Sequence, residues 1–148
     1  MNRLTLLGFL LILVSAMSGC GQGDASTPPT ETALIVEDQA SLLAALQATG
    51  AKAEIGDSVI QDFFTPEGNV IKVNGQDVQV FEYKNAEAME SEASQVAPDG
   101  GSVGTSMMMW MDAPHFYKTG RIIILYIGSS QDMLNLLQTV VGSQFAGR

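Results

Sequence analysis

One cysteine, one histidine and one tryptophan serve a chain of 148 residues. With Cys20 alone, disulfides and Cys-based metal sites are excluded from the domain that follows it. The single histidine, His115, means that any nucleophilic triad must run through it. Basic residues are scarce, seven Lys and Arg against sixteen Asp and Glu, for a net charge of −9. Such a surface lacks the positive footprint that phosphate binding requires, so nucleic acid is not an expected partner. Long apolar runs are missing as well. Leu4 to Met17 covers 14 residues, whereas crossing a bilayer as a helix takes about 20. No phosphate loop is present either: Gly100-Gly101-x-x-Gly104 lacks the lysine and leads toward a strand. The acidic residues do not follow the spacing of a calcium loop, and no carboxylate pair stands out for two-carboxylate hydrolysis.

What the first twenty residues do contain is an export signal. Arg3 gives a positive start, the run from Leu4 to Met17 is apolar or small, and small residues precede Cys20. Met17-Ser18-Gly19-Cys20 resembles the lipobox of bacterial lipoproteins, with Met17 where leucine is usual. The resemblance implies cleavage before Cys20, a thioether-linked diacylglycerol on its sulfur, and often a third acyl chain such as palmitate on its amine. Two or more chains anchor a protein stably where one does not. Gly21 stands where an aspartate would favour retention in the inner membrane, so delivery to the cell membrane or to an outer membrane are both open. Removing residues 1–19 from the 148 takes Arg3 away and leaves 129 residues with a net charge of −10.

Residues 20–37 read as the lipidated Cys20 and a flexible tether, rich in Gly, Ser and Thr and carrying Pro28-Pro29. The globular domain is expected over 38–148. Asp38 caps a first helix with Leu42, Leu43 and Leu46 on its apolar stripe, and Gly50 ends it. Strands are expected at Lys52–Ile55 and Val59–Phe64, separated by a Gly56-Asp57 turn. Asn74-Gly75 then predicts a two-residue hairpin that places Val73 opposite Gln76, Lys72 opposite Asp77 and Ile71 opposite Val78. Alternation falters at Phe81-Glu82-Tyr83, which reads as a bulge or as a strand covered on both sides. A second helix is expected from Asn85 to about Ala97, with Ala86, Met89, Ala93 and Val96 inward. Thr105–Asp112 predicts a strand, and Arg121–Ile127, apolar on both faces, predicts a central one. Ser129-Ser130-Gln131-Asp132 opens a strongly amphipathic last helix. The fold class is α+β: a single antiparallel sheet of four or five strands with about three helices packed mainly on one face. APHFYKTGRIIILYIG, residues 113–128, together with the hairpin segment QDVQVFEY, resembles a small domain of bacterial lipoproteins. That resemblance implies no activity.

Two residue groups invite chemistry. Met107, Met109 and Met111 fall on one side of an extended segment, with Met108 and Trp110 on the other, and His115 follows just beyond Pro114. Thioethers and imidazole are ligands for Cu(I), and the combination is similar to the Met, His and Trp site of periplasmic copper chaperones. Those chaperones are small β-barrels, unlike the helix-rich pattern here. Met107, Met109 and His115 are therefore the candidate metal ligands, against the simpler expectation that the methionines fill the core under helices. Trp110, His115, Phe116 and Tyr117 are the candidate contact surface, since aromatics concentrate at interfaces. A third expectation is a hydrolase centred on Asp112 and His115, which are close in sequence, though no nucleophile motif accompanies them. The leading expectation is a lipid-anchored, extracytoplasmic, non-enzymatic binding or accessory domain at the cell envelope. It carries no cofactor besides its lipid, and its partners are the membrane and an envelope protein. A Cu(I)-binding lipoprotein is the alternative.

Overall fold

The computed structural model describes residues 34–148. Cys20, the leader and most of the expected tether lie outside these residues. The fold takes in the chain earlier than Asp38. Val36 is buried, its carbonyl accepts from Thr119 Oγ1 at 2.8 Å, and the Glu37 carbonyl accepts from the Arg121 amide at 2.8 Å. The expected tether thus loses its last residues to the fold, because its end carries the apolar run Leu34-Ile35-Val36 and the valine of that run is buried.

Helix α1, Gln39–Ala48, starts from a reciprocal cap. Asp38 Oδ1 accepts from the Ser41 amide at 2.9 Å, and Ser41 Oγ accepts from the Asp38 amide at 3.0 Å. These Ser41 bonds, and behind them Arg121, hold the Asp38 carboxyl below its ordinary value. A depressed carboxylate stabilises the fold above its unfolded pKa and loses that contribution as pH falls through its folded one. Asp38→Asn is therefore expected to flatten the acid limb of stability below pH 3.8, read by circular dichroism in an acid titration. The helix ends at Gly50, whose φ of +87° is the left-handed value glycine takes without strain.

Six strands form one sheet: β1 (Ala53–Val59), β2 (Gly68–Val73), β3 (Gln76–Glu82), β6 (Pro114–Thr119), β7 (Ile122–Ile127) and β8 (Ala146–Gly147). Their order is β1-β2-β3-β7-β6-β8, and every pairing is antiparallel. The sheet is wider than the four or five strands expected. A two-stranded ribbon, β4 (Ser102–Val103) and β5 (Ser106–Met107), stands apart from it. The β2–β3 hairpin has the register that Asn74-Gly75 dictates, with Val73 opposite Gln76, Lys72 opposite Asp77 and Ile71 opposite Val78. Strand β7 is central and buried throughout, apart from partial exposure at Ile127.

Two expected strands are not there. Val59–Phe64 gives way to β1, which continues through Gly56 and Asp57 by an irregularity between Ile55 and Ser58. Residues 60–66 then turn instead. Adjacent residues of a strand point to opposite faces, whereas this turn lets both Phe63 and Phe64 pack onto the same side. Thr105–Asp112 pairs only at Ser106–Met107, because β7 and β8 already occupy both edges of β6. No bulge occurs at Phe81; β3 keeps its register there and is covered on both faces.

The helices divide between those faces. Helices α1 and α3 (Gln131–Val141) cover one with Leu42, Leu46, Met133 and Leu137 against Ile71, Val78, Val80, Ile122, Ile124 and Tyr126. Helix α2 (Ala86–Ala93), the Phe63-Phe64 turn and the β4–β5 ribbon cover the other, over Phe81, Phe116, Ile123 and Leu125. Among the described residues no helix is long and apolar enough to cross a membrane.

Candidate functional site

The chain between β5 and β6 is a loop, Met108–Ala113, that bends at Met111 and Asp112 and is fastened at intervals. Met107 pairs with Ser102 across the ribbon, and the Met108 amide donates to the Gly101 carbonyl at 2.9 Å. Trp110 is the main fastening. Its indole Nε1 donates to the Gly100 carbonyl at 2.7 Å, and its ring meets Phe63 and Phe116 edge-on, each at 5.9 Å. Edge-to-face pairs at such separations are favourable beyond their buried area. Gly100 suits this role because its φ is +69° and a Cβ there would lie 2.9 Å from the Pro114 ring.

With Trp110 held inward, alternation throws its neighbours outward. Met107, Met109 and Met111 are 89%, 99% and 102% exposed, while Met108 and Trp110 are half-buried. The outward and inward sets follow the period-two reading even though strand pairing stops at Met107. The expectation that these methionines fill the core is corrected: Met89 and Met133 do that, and the outward three touch solvent. Soluble proteins rarely leave adjacent large apolar side chains wholly uncovered. That exposure makes the loop the candidate site.

His115 is not part of it. The residue is 4% exposed on β6, and its ring stacks on Tyr126 at 6.0 Å, on the α1/α3 side of the sheet. Its Nε2 lies 3.0 Å from the Gly128 carbonyl and its Nδ1 lies 2.7 Å from Gln144 Oε1. A carbonyl only accepts, so Nε2 donates to Gly128; Nδ1 of the neutral ring is then an acceptor, and the Gln144 amide satisfies it with its NH2 when its oxygen and nitrogen are exchanged. Both ring nitrogens are committed. Trp110 and Phe116 belong to the opposite face, with Phe64, Phe81 and Phe145. The four residues of the expected contact surface therefore split: Trp110 and Phe116 pack on one side of the sheet, His115 and Tyr117 on the other. A single groove along Trp110, His115, Phe116 and Tyr117 does not exist, because consecutive strand residues alternate faces.

Burial separates His115 from Met107 and Met109 as metal ligands: its ring is enclosed with both nitrogens engaged, while the two methionines stand in solvent. Among the described residues no group of three or more His, Asp or Glu is placed to hold a metal ion. Asp112 does not pair with His115 either. Its carboxylate accepts from the Ala113 amide at 2.7 Å and from Ser129 Oγ at 3.4 Å. Burial, followed by the hydrogen bond and charge of Glu92, pushes the Tyr83 phenol up. Its hydroxyl donates to Glu92 Oε2 at 2.9 Å, and the Thr65 amide donates to the same oxygen at 3.0 Å. That cluster ties the Phe63-Phe64 turn to α2. At the sheet end where the chain enters, Arg121 bridges Asp38 at 3.4 Å and Glu82 at 2.7 Å.

Gln144 escaped the sequence reading, since its partner His115 lies 29 residues away and no pattern points to it. Gly100 was read only as part of a glycine turn, and nothing in that pattern points to its bond with Trp110.

Comparison with protein-family models, with curated proteins and with solved structures finds no match to this chain.

Proposed function

We propose that this chain is an extracytoplasmic, non-enzymatic binding domain, held to a cell membrane by lipid on Cys20, with the methionine loop as its contact surface. The membrane part of the reading rests on the lipobox-like Met17-Ser18-Gly19-Cys20 and on the apolar run before it. The binding part rests on one observation. Three methionines stand fully in solvent on a loop whose intervening tryptophan is bonded and packed into the domain. Flexible, polarisable methionine side chains suit contact surfaces that must fit a partner. A net-negative surface disfavours nucleic acid as that partner, which leaves a component of the envelope.

The loop leads into Pro114, at one end of β6, while the segment Val36–Glu37 joins the sheet beside Thr119 and Arg121 at the other end. The contact surface therefore lies at the end of the sheet opposite the one where the chain from the tether enters.

The test places a photo-crosslinking residue at position 109 of the lipidated chain in intact cells, with position 138 on the exposed side of α3 as the comparison. The expected result is a discrete adduct from 109 and none from 138, lost when Cys20→Ser removes the anchor. Equal, diffuse labelling from both positions would overturn the reading.

A further inference from the structure

We propose that Met109, with Met107 or Met111, binds a soft monovalent cation, Cu(I) being the biological case. The inference rests on the contact-surface reading and names what that surface holds. From Met107 to Met111 every outward side chain is a thioether, and no Leu, Ile, Val or Phe shares these positions; Asp112, next along, is the other exposed residue of the loop. A surface meant only for apolar packing has no need of sulfur at each position, whereas a soft cation does: thioethers select Cu(I) over harder ions. Neighbouring outward residues of an extended chain sit about 6.5 Å apart at Cα, within the joint reach of two methionine side chains. Met109 neighbours both of the others and is the shared donor.

The backbone beneath is already fixed by the Trp110 indole bond to Gly100 and by the Met108 amide bond to Gly101. Binding then orders side chains alone, which lowers its entropic cost. A net charge of −9 draws cations toward the domain. His115 contributes nothing, since both its nitrogens are occupied on the other face. Its absence has a consequence. Imidazole and thiol sites lose metal as their ligands protonate, but a thioether carries no proton to compete.

The experiment titrates Ag(I), a redox-stable probe of the same softness, into the full chain carrying Cys20→Ser, in detergent and nitrate buffer. Methionine methyl NMR is the readout. One equivalent is expected to shift the Met109 methyl and at least one of the Met107 and Met111 methyls, leaving buried Met89 and Met133 in place. Met109→Leu should weaken binding at least tenfold, more than Met107→Leu or Met111→Leu, and His115→Gln should leave it unchanged. Affinity should also hold between roughly pH 5 and 8. No shift at one equivalent, binding that survives Met109→Leu, or affinity that collapses at the acid end would overturn the site. The photo-adduct at position 109 is read without added metal, so failure here leaves the contact-surface reading to stand or fall on its own test.

Discussion

Phe116→Ala is expected to destabilise the domain by about 3–5 kcal/mol, the range for emptying a fully buried phenylalanine site. Phe116 is wholly buried on β6 and meets Phe64, Trp110 and Phe145 at 6.4, 5.9 and 6.2 Å between ring centroids. Those three rings come from a turn, a loop and the C-terminal segment, so none can follow the others into the space left behind. The loss is a large part of the roughly 5–15 kcal/mol that holds a domain of this size. Urea unfolding of the full chain should show a lower midpoint with an unchanged slope. The same change removes one of the two rings against which Trp110 rests, so the methionine loop should loosen before the sheet unfolds.

His115→Ala should cost about 3 kcal/mol, for a different reason. The substitution strips the donor from the buried Gly128 carbonyl and empties the place beside Tyr126. A buried acceptor left alone costs about 1–3 kcal/mol, and the missing ring adds a cavity. Gln144 is exposed and recovers its hydrogen bond from water, so losing His115 costs little on that side. Thermal unfolding checks this directly. A catalytic or metal-ligating histidine, in contrast, is commonly replaced with little loss of stability. An unchanged melting temperature would therefore contradict the role assigned here.

Much of the fold was legible where local chemistry and tertiary packing demand the same thing. Asn74-Gly75 specifies its turn and hence the whole β2–β3 register. Ile122 to Tyr126, apolar at every position, suits only a strand covered on both faces. Asp38 and Ser41 announce the start of α1 through the bonds that they make. Legibility failed where two local readings were equally good. Val59–Phe64 has strand composition, yet β1 reaches Val59 from the other side and the two phenylalanines gain more by packing together. Ala146-Gly147 is too short to register as a strand, and it exists because β6 offers an open edge beside His115 and Phe116.

The candidate site was half legible. Alternation correctly sorted Met107, Met109 and Met111 from Met108 and Trp110, because Trp110 is fastened inward; it stops there, since the chain bends at Met111 and Asp112 is exposed. Which set faces inward depends on Gly100 and Phe116, whose positions relative to Trp110 follow from the sheet and not from spacing. The same alternation, applied to Trp110, His115, Phe116 and Tyr117, argues against one shared surface. Aromatic content alone had grouped them.

The proposed contact surface is a tryptophan-fastened loop that offers three methionines to something in the envelope. Peroxide converts exposed thioethers to sulfoxides and spares buried ones, and mass spectrometry resolves each site. In the purified full chain Met107, Met109 and Met111 should oxidise together and fast, with Met89 and Met133 far behind. In intact cells the three outward sites are expected to be protected several-fold relative to the purified chain, and Trp110→Ala is expected to abolish the protection. Equal oxidation rates at Met109 inside and outside the cell would contradict it, because a surface that nothing covers is not a contact surface.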